Sequence, residues 1–265
     1  MMEEDDEVCQ QAAASCIARL ATNAQNTIKM ADEGVVPRLV QLVGSPNPEI
    51  QRLGAVGVTN LCRTPEATAA IVDANGIRPL IALLDSPDDK LKRQGGRALS
   101  NLALHTVPRA QVVQLGGHLR LIQLSMGGAL EVQTEAIRAL CNIARSASNG
   151  GVLIKDGVLK PVVQLLSSPN IELHALAVVA FTNLCVEEEN VQKCMDSGAM
   201  SPLTVLCTSP DEKVAKMAQD CVKKLQGAVI AGGIGIPYME YQNPPPLQLQ
   251  TRYIKDDELA MWCKS

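Results

Sequence analysis

One short string recurs along this chain of 265 residues at constant spacing. VTNLC, LSNLA, LCNIA and FTNLC place Asn60, Asn101, Asn142 and Asn183 at intervals of 41 residues, with no insertion. Continued outward, the register falls on Arg19 (in IARLA) and on Lys224 (in VKKLQ). A period of about 20–50 residues marks stacked copies of one small unit, because a single unit cannot bury its apolar face and only the stack makes a core.

Four further markers keep the same register. Gly34, Asn75, Gly116, Gly157 and Gly198 are the residue types that best tolerate the left-handed backbone closing a helix. Leu39, Leu80, Leu121, Val162 and Leu203 form a second series, and Leu42, Leu83, Leu124, Leu165 and Leu206 a third. Their i, i+3 spacing is the stripe of a half-buried helix. Ser-Pro follows at 45–46, 86–87, 168–169 and 209–210, replaced by Gly127-Gly128 in the middle copy. Pro37, Pro79, Pro161 and Pro202 stand where a first helical turn accepts proline, with Arg120 in the middle copy. No stretch sustains strand alternation.

Each unit therefore reads as three helices. A short one precedes the glycine, such as Glu66 to Ala74. A second follows it, and a longer third follows Ser-Pro, such as Glu49 to Cys62. The predicted fold is all-α, a right-handed α-solenoid of five units at 23–63, 64–104, 105–145, 146–186 and 187–227. Residues 1–22 hold an acidic start and a lone capping helix, and 228–265 a tail. Gly54, Gly57, Gly95 and Gly96 in the third helices each cost about 1 kcal/mol of helix propensity, and close helix packing is the expected compensation.

Composition removes several function classes. Hydrophobic residues at 46%, charged residues at 20% and a net charge of −4 suit a folded chain. Aromatics at 2% leave no stacking platform for single-stranded nucleic acid. Three histidines and no CxxC pair leave little for a metal site. The nine cysteines fall mostly at apolar positions, as reduced thiols of the cytosol or nucleus do. No apolar run approaches the roughly 18 residues of a spanning helix. The start, Met1-Met2-Glu3-Glu4-Asp5-Asp6-Glu7, is neither a signal nor a transit peptide. With no nucleotide-loop, nucleophile-elbow or zinc-protease motif, neither an enzyme nor a cofactor is expected.

The string GIRPLIALLDSP at 76–87, followed by ALSNLA at 98–103, resembles the armadillo-repeat pattern. The resemblance covers residues 8–227. It implies a non-enzymatic protein that holds extended partner segments along the face of its third helices. The short, repeat-only form is similar to vacuolar-protein-8-like adaptors and to the armadillo-repeats-only proteins of apicomplexan parasites. Those are acylated at the N-terminus, tethered to organelles, and in the apicomplexan case linked to a myosin. A cytoplasmic adaptor, peripheral on an organelle and positioning it, is the function so implied. The sequence departs from them in lacking a Gly after the initiator Met. A trimmed anchor is the preferred explanation, a soluble member the other.

Positions four apart share a helix face. Counting back from each asparagine gives Val56 and Arg52, Arg97 and Arg93, Arg138 and Thr134, and Val179 and Ala175. A carboxamide can bracket the N–H and C=O of a bound peptide whatever its side chains. Helices about 8–10 Å apart and a strand rising about 3.4 Å per residue would let the four asparagines track roughly nine residues. On spacing alone the asparagines could equally cap neighbouring helix carbonyls. The resemblance favours peptide binding.

Arg52, Arg93, Arg97 and Arg138 make the front half of the predicted groove basic, which suits an acidic or phosphorylated segment. Residues 9–227 carry +2, against −5 for 1–8 and −1 for 228–265. Internal salt bridges to acids such as Glu135 are the alternative. Importin-like grooves pair the asparagine with a tryptophan one turn earlier, where Val56, Arg97, Arg138 and Val179 stand here. An importin-like receptor and a phosphate- or RNA-binding solenoid stay as the alternatives. Phe181 is expected to pack between repeats. The tail, with Ala231 to Gly235, the segment Pro237 to Pro246 and a short helix over Asp256 to Cys263, is expected to cap the last repeat or lie near the groove.

Overall fold

In a computed structural model the chain is described over residues 7–62 and 64–230. The readings of the tail beyond Ile230 lie outside the described residues. A lone helix, α1 (Glu7–Leu20), precedes five triplets. The first triplet is α2 (Ala24–Asp32), α3 (Val35–Val43) and α4 (Pro48–Leu61). The second is α5 (Pro65–Asp73), α6 (Ile77–Ala82, tightened into a 3-10 turn over Leu83–Asp85) and α7 (Asp89–Leu102). The third is α8 (Thr106–Gln114), α9 (Gly117–Ser125) and α10 (Leu130–Ile143). Next come α11 (Ala147–Lys155), α12 (Leu159–Leu166) and α13 (Ile171–Leu184). Last are α14 (Glu188–Asp196), α15 (Met200–Leu206) and α16 (Glu212–Ile230), the final helix running past the expected end at residue 227.

The third helices form one continuous layer. α4 packs between α1 and α7, α7 between α4 and α10, α10 between α7 and α13, and α13 meets α16. Each second helix lies against its own third helix. This is an α-solenoid in which each unit touches its neighbours, and no strand occurs among the described residues.

Two local devices repeat with the period. The turn between first and second helix needs φ > 0, and Gly34, Asn75, Gly116, Gly157 and Gly198 supply it, with φ from 55° to 93°. The turn before the third helix is held by the serine of Ser-Pro. Ser45, Ser86, Ser168 and Ser209 Oγ accept the N–H two residues on, and Asn47, Asp88, Asn170 and Asp211 then accept from the first helical N–H groups. The middle unit lacks both. Gly128 takes φ 100° there, and Ala129 caps α10 with no side-chain bond. Gln133 Nε2 stitches that turn instead, donating to Ser125 O at 2.9 Å.

The core follows the apolar series. Leu39, Leu80, Leu121, Val162 and Leu203 are fully buried, as is Phe181. Leu124 departs from its series and is only half-buried, in the same irregular middle unit. Close packing explains the third-helix glycines. A Cβ on Gly54 would lie 2.8 Å from Val43 N, and one on Gly95 2.8 Å from Leu83 Cβ.

Candidate functional site

The four ladder asparagines all make the same bond. Asn60 Nδ2 donates to Ala18 O (2.9 Å), Asn101 to Thr59 O (3.2 Å), Asn142 to Ser100 O (2.9 Å) and Asn183 to Cys141 O (3.1 Å). Each acceptor is the residue just before the preceding ladder position. The reason is a helix end. The last carbonyls of a helix lack helical partners, and here the closing turns tighten. Thr22 N bonds Arg19 O, Leu104 N bonds Asn101 O, and Arg145 N bonds Asn142 O. The carbonyls of Ala18, Ser100 and Cys141 are thereby left for the next unit's amide.

The asparagines therefore do cap neighbouring carbonyls, and that use consumes only part of each amide. All four side chains are half-buried. Among the described residues their Oδ1 atoms have no donor. Asn142 also donates to Ser100 Oγ at 3.2 Å, and so keeps its acceptor alone. Asn60, Asn101 and Asn183 keep an acceptor and a second N–H. A row of oriented amides at one-unit spacing can hold the backbone of an extended chain. Lys224 ends the row.

The predicted arginines are placed unevenly. Arg52 is buried and donates through Nε to Glu49 at 2.8 Å and through Nη2 to the same carboxylate. Arg138 donates to Glu135 (2.7 Å) and across to Glu172 on α13 (2.8 Å), while its Nε is buried without a partner. The basic front half expected from sequence is thus neutralised at both of these positions. Arg93 and Arg97 are half-buried on α7 in line with Asn101. Arg93 has no hydrogen bond or ion pair among the described residues. α7 carries Lys90, Lys92, Arg93 and Arg97 against a single carboxylate, Asp89, which Lys92 takes at 2.8 Å. α7 itself therefore carries a net charge of +3.

The remaining counted positions differ. Val56 and Thr134 are buried, while Ala175 and Val179 are half-buried on α13. The Glu49–Arg52 pair was readable from its i, i+3 spacing. The Arg138–Glu172 bridge joins separate helices and needed the packed structure. So did His118, buried in the register of Val36 and Ile77, whose Nε2 lies 2.7 Å from Asp156 Oδ2.

The thiols sit in the core. Burial pushes Cys141 up to about 12 and raises Cys62 and Cys221, while a side-chain hydrogen bond with Cys194, together with burial, raises Cys185. No group of three or more His, Cys, Asp or Glu able to hold a metal occurs among the described residues. Nor is any single described helix long and apolar enough to cross a membrane.

Residues 23–63, 64–104 and 151–186 match the Armadillo/beta-catenin-like repeat. The chain matches no curated protein by sequence. Among solved structures it is similar to an engineered protein from a structural-genomics consortium, at 32% identity and TM-score 0.82, covering 85% of this chain and 94% of that one. It is similar to a designed armadillo repeat protein in complex with the peptide (KR)4, at 25% identity and TM-score 0.82, covering 84% and 96%. Computationally designed armadillo repeat proteins for modular peptide recognition match at 25% identity and TM-score 0.81, covering 84% and 95%.

Proposed function

The chain belongs to the armadillo-repeat family, and from that premise we propose that it is a non-catalytic scaffold holding an extended segment of a partner protein along its third helices. The observation that carries this is the ladder of half-buried amides, each pinned by one N–H to the unit before it, with Oδ1 left over. Pinning removes most of the amide's rotational freedom before a ligand arrives, which lowers the ordering cost of binding. Each backbone bond adds about 0.5–1.5 kcal/mol, so the ladder sets pose more than selectivity.

Selectivity falls to α7. Arg93 and Arg97 favour an acidic or phosphorylated segment, since guanidinium pairs well with carboxylate and phosphate. The designed relative's (KR)4 ligand has the opposite charge, which makes it a suitable probe. Resemblance to short armadillo-only adaptors supports a cytoplasmic role in organelle positioning, with a myosin or an organelle protein as partner.

A fluorescence titration with nonaglutamate, an alternating Lys-Arg peptide and a short RNA tests the reading. Nonaglutamate should bind, more weakly as salt rises, and Arg93→Glu should weaken it with the helical circular dichroism unchanged. Binding of the basic peptide alone would contradict the acidic-ligand assignment. Binding of the RNA alone would contradict the protein-scaffold reading.

A further inference from the structure

The strip of residues four apart that ends in each ladder asparagine changes chemistry along the array. On α7 it runs Asp89, Arg93, Arg97, Asn101, within the cation-rich helix. On α10 its arginine, Arg138, is clasped by Glu135 and Glu172. On α13 it runs Ile171, Ala175, Val179, Asn183, with no charge at all. Ile171 is 48% exposed, and Leu130, which starts the α10 strip, is 46% exposed. Two exposed branched side chains at matching positions of adjacent helices make an apolar edge, where other units have Pro48, Asp89 and Glu212.

We infer that the groove takes a two-part partner segment, with carboxylates over α7 and one large apolar side chain on the edge made by Leu130 and Ile171. α7 and α13 are two units apart. At about 8–10 Å per helix and about 3.4 Å per extended residue, the two parts are separated by about five or six residues. The spacer needs no charge, because Arg138 on α10 is already paired with Glu135 and Glu172. Charge complementarity selects the acidic half of a protein segment. The apolar half distinguishes it from a simple polyanion. This inference rests on the proposed use of the groove for peptides.

The test uses the full chain and three labelled peptides, each in forward and reversed order. The first joins three glutamates to a leucine through a five-residue Ser-Gly spacer. The second has serine for the leucine, and the third omits the spacer. The first should bind about tenfold tighter than the second, as expected for burying a leucine-sized side chain, and tighter than the third. Ile171→Asp should abolish that difference and leave the second peptide's affinity unchanged, and Arg93→Glu should weaken both. Equal affinity of the first and second peptides would overturn the two-part ligand while leaving the acidic groove standing. Binding of none would overturn the peptide groove itself. Sedimentation gives the rival occupant: self-association abolished by Ile171→Asp would assign the apolar edge to a second copy and overturn the inference.

Discussion

At the residue scale, the same residue type does different work at different depths. Gly95 and Gly57 both lie in third helices, where alanine would add about 1 kcal/mol of helix propensity. A Cβ at Gly95 meets Leu83 Cβ at 2.8 Å and the backbone Leu80 O at 3.0 Å, neither of which can yield cheaply. At Gly57 it meets only the ends of the Leu39 side chain, at 3.0 and 3.1 Å. Gly95→Ala should therefore destabilise by about 1–3 kcal/mol in urea unfolding, and Gly57→Ala by clearly less. Cys141 makes a second prediction. Its thiol is pushed up by burial from an ordinary value of 9.0 to about 12. Above pH 9 the unfolded chain loses this proton and the folded chain keeps it, so stability falls with rising pH until the folded value is reached. The slope from this one thiol is at most about 1.4 kcal/mol per pH unit, and Cys141→Ala should show a shallower decline between pH 9 and 11. The apolar placement of these cysteines was legible in the periodic pattern. The bond from Cys141 Sγ to Leu176 O, 35 residues away, was not.

At the element scale, the turn grammar was read almost directly from sequence, because each marker residue has a local job. Glycine or asparagine at the left-handed position and Ser-Pro before the third helix act within a few residues, so the string alone reveals them. The middle unit shows what their loss does. Ala129, just before α10, has extended backbone (φ −62°, ψ 134°) and provides no side-chain cap, where the other units place Asn47, Asp88, Asn170 and Asp211. Ala129→Asp should restore the cap and raise stability by about 0.5–2 kcal/mol, measured by denaturant unfolding. An unchanged midpoint would mean that a side-chain acceptor for the first N–H groups of α10 adds nothing at this turn. Charge pairing was less legible. Glu135 and Arg138 lie on one helix and could be matched by spacing, whereas the partner Glu172 comes from the next unit and depends on how α10 and α13 pack.

At the scale of the whole array, repetition turns a local bond into a long surface. An asparagine N–H ties each of α4, α7, α10 and α13 to a carbonyl near the end of the helix before it. The same constraint lines up the leftover amide groups at constant spacing. Structure and recognition share a side chain, so ladder mutations alone cannot separate them: Asn→Ala removes an inter-unit bond together with any ligand contact. Changing the ligand backbone avoids that problem. Nonaglutamate and two copies, N-methylated on one or the other set of alternate backbone nitrogens, have the same side chains and charge, but each copy lacks half of the backbone donors for Asn Oδ1. The account predicts that the unmodified peptide binds and that at least one of the two N-methyl registers loses most of its affinity to the unmodified chain. Equal binding of both methylated registers and the parent would show that the asparagines serve only to join the repeats, and would contradict the ladder as a peptide-holding device.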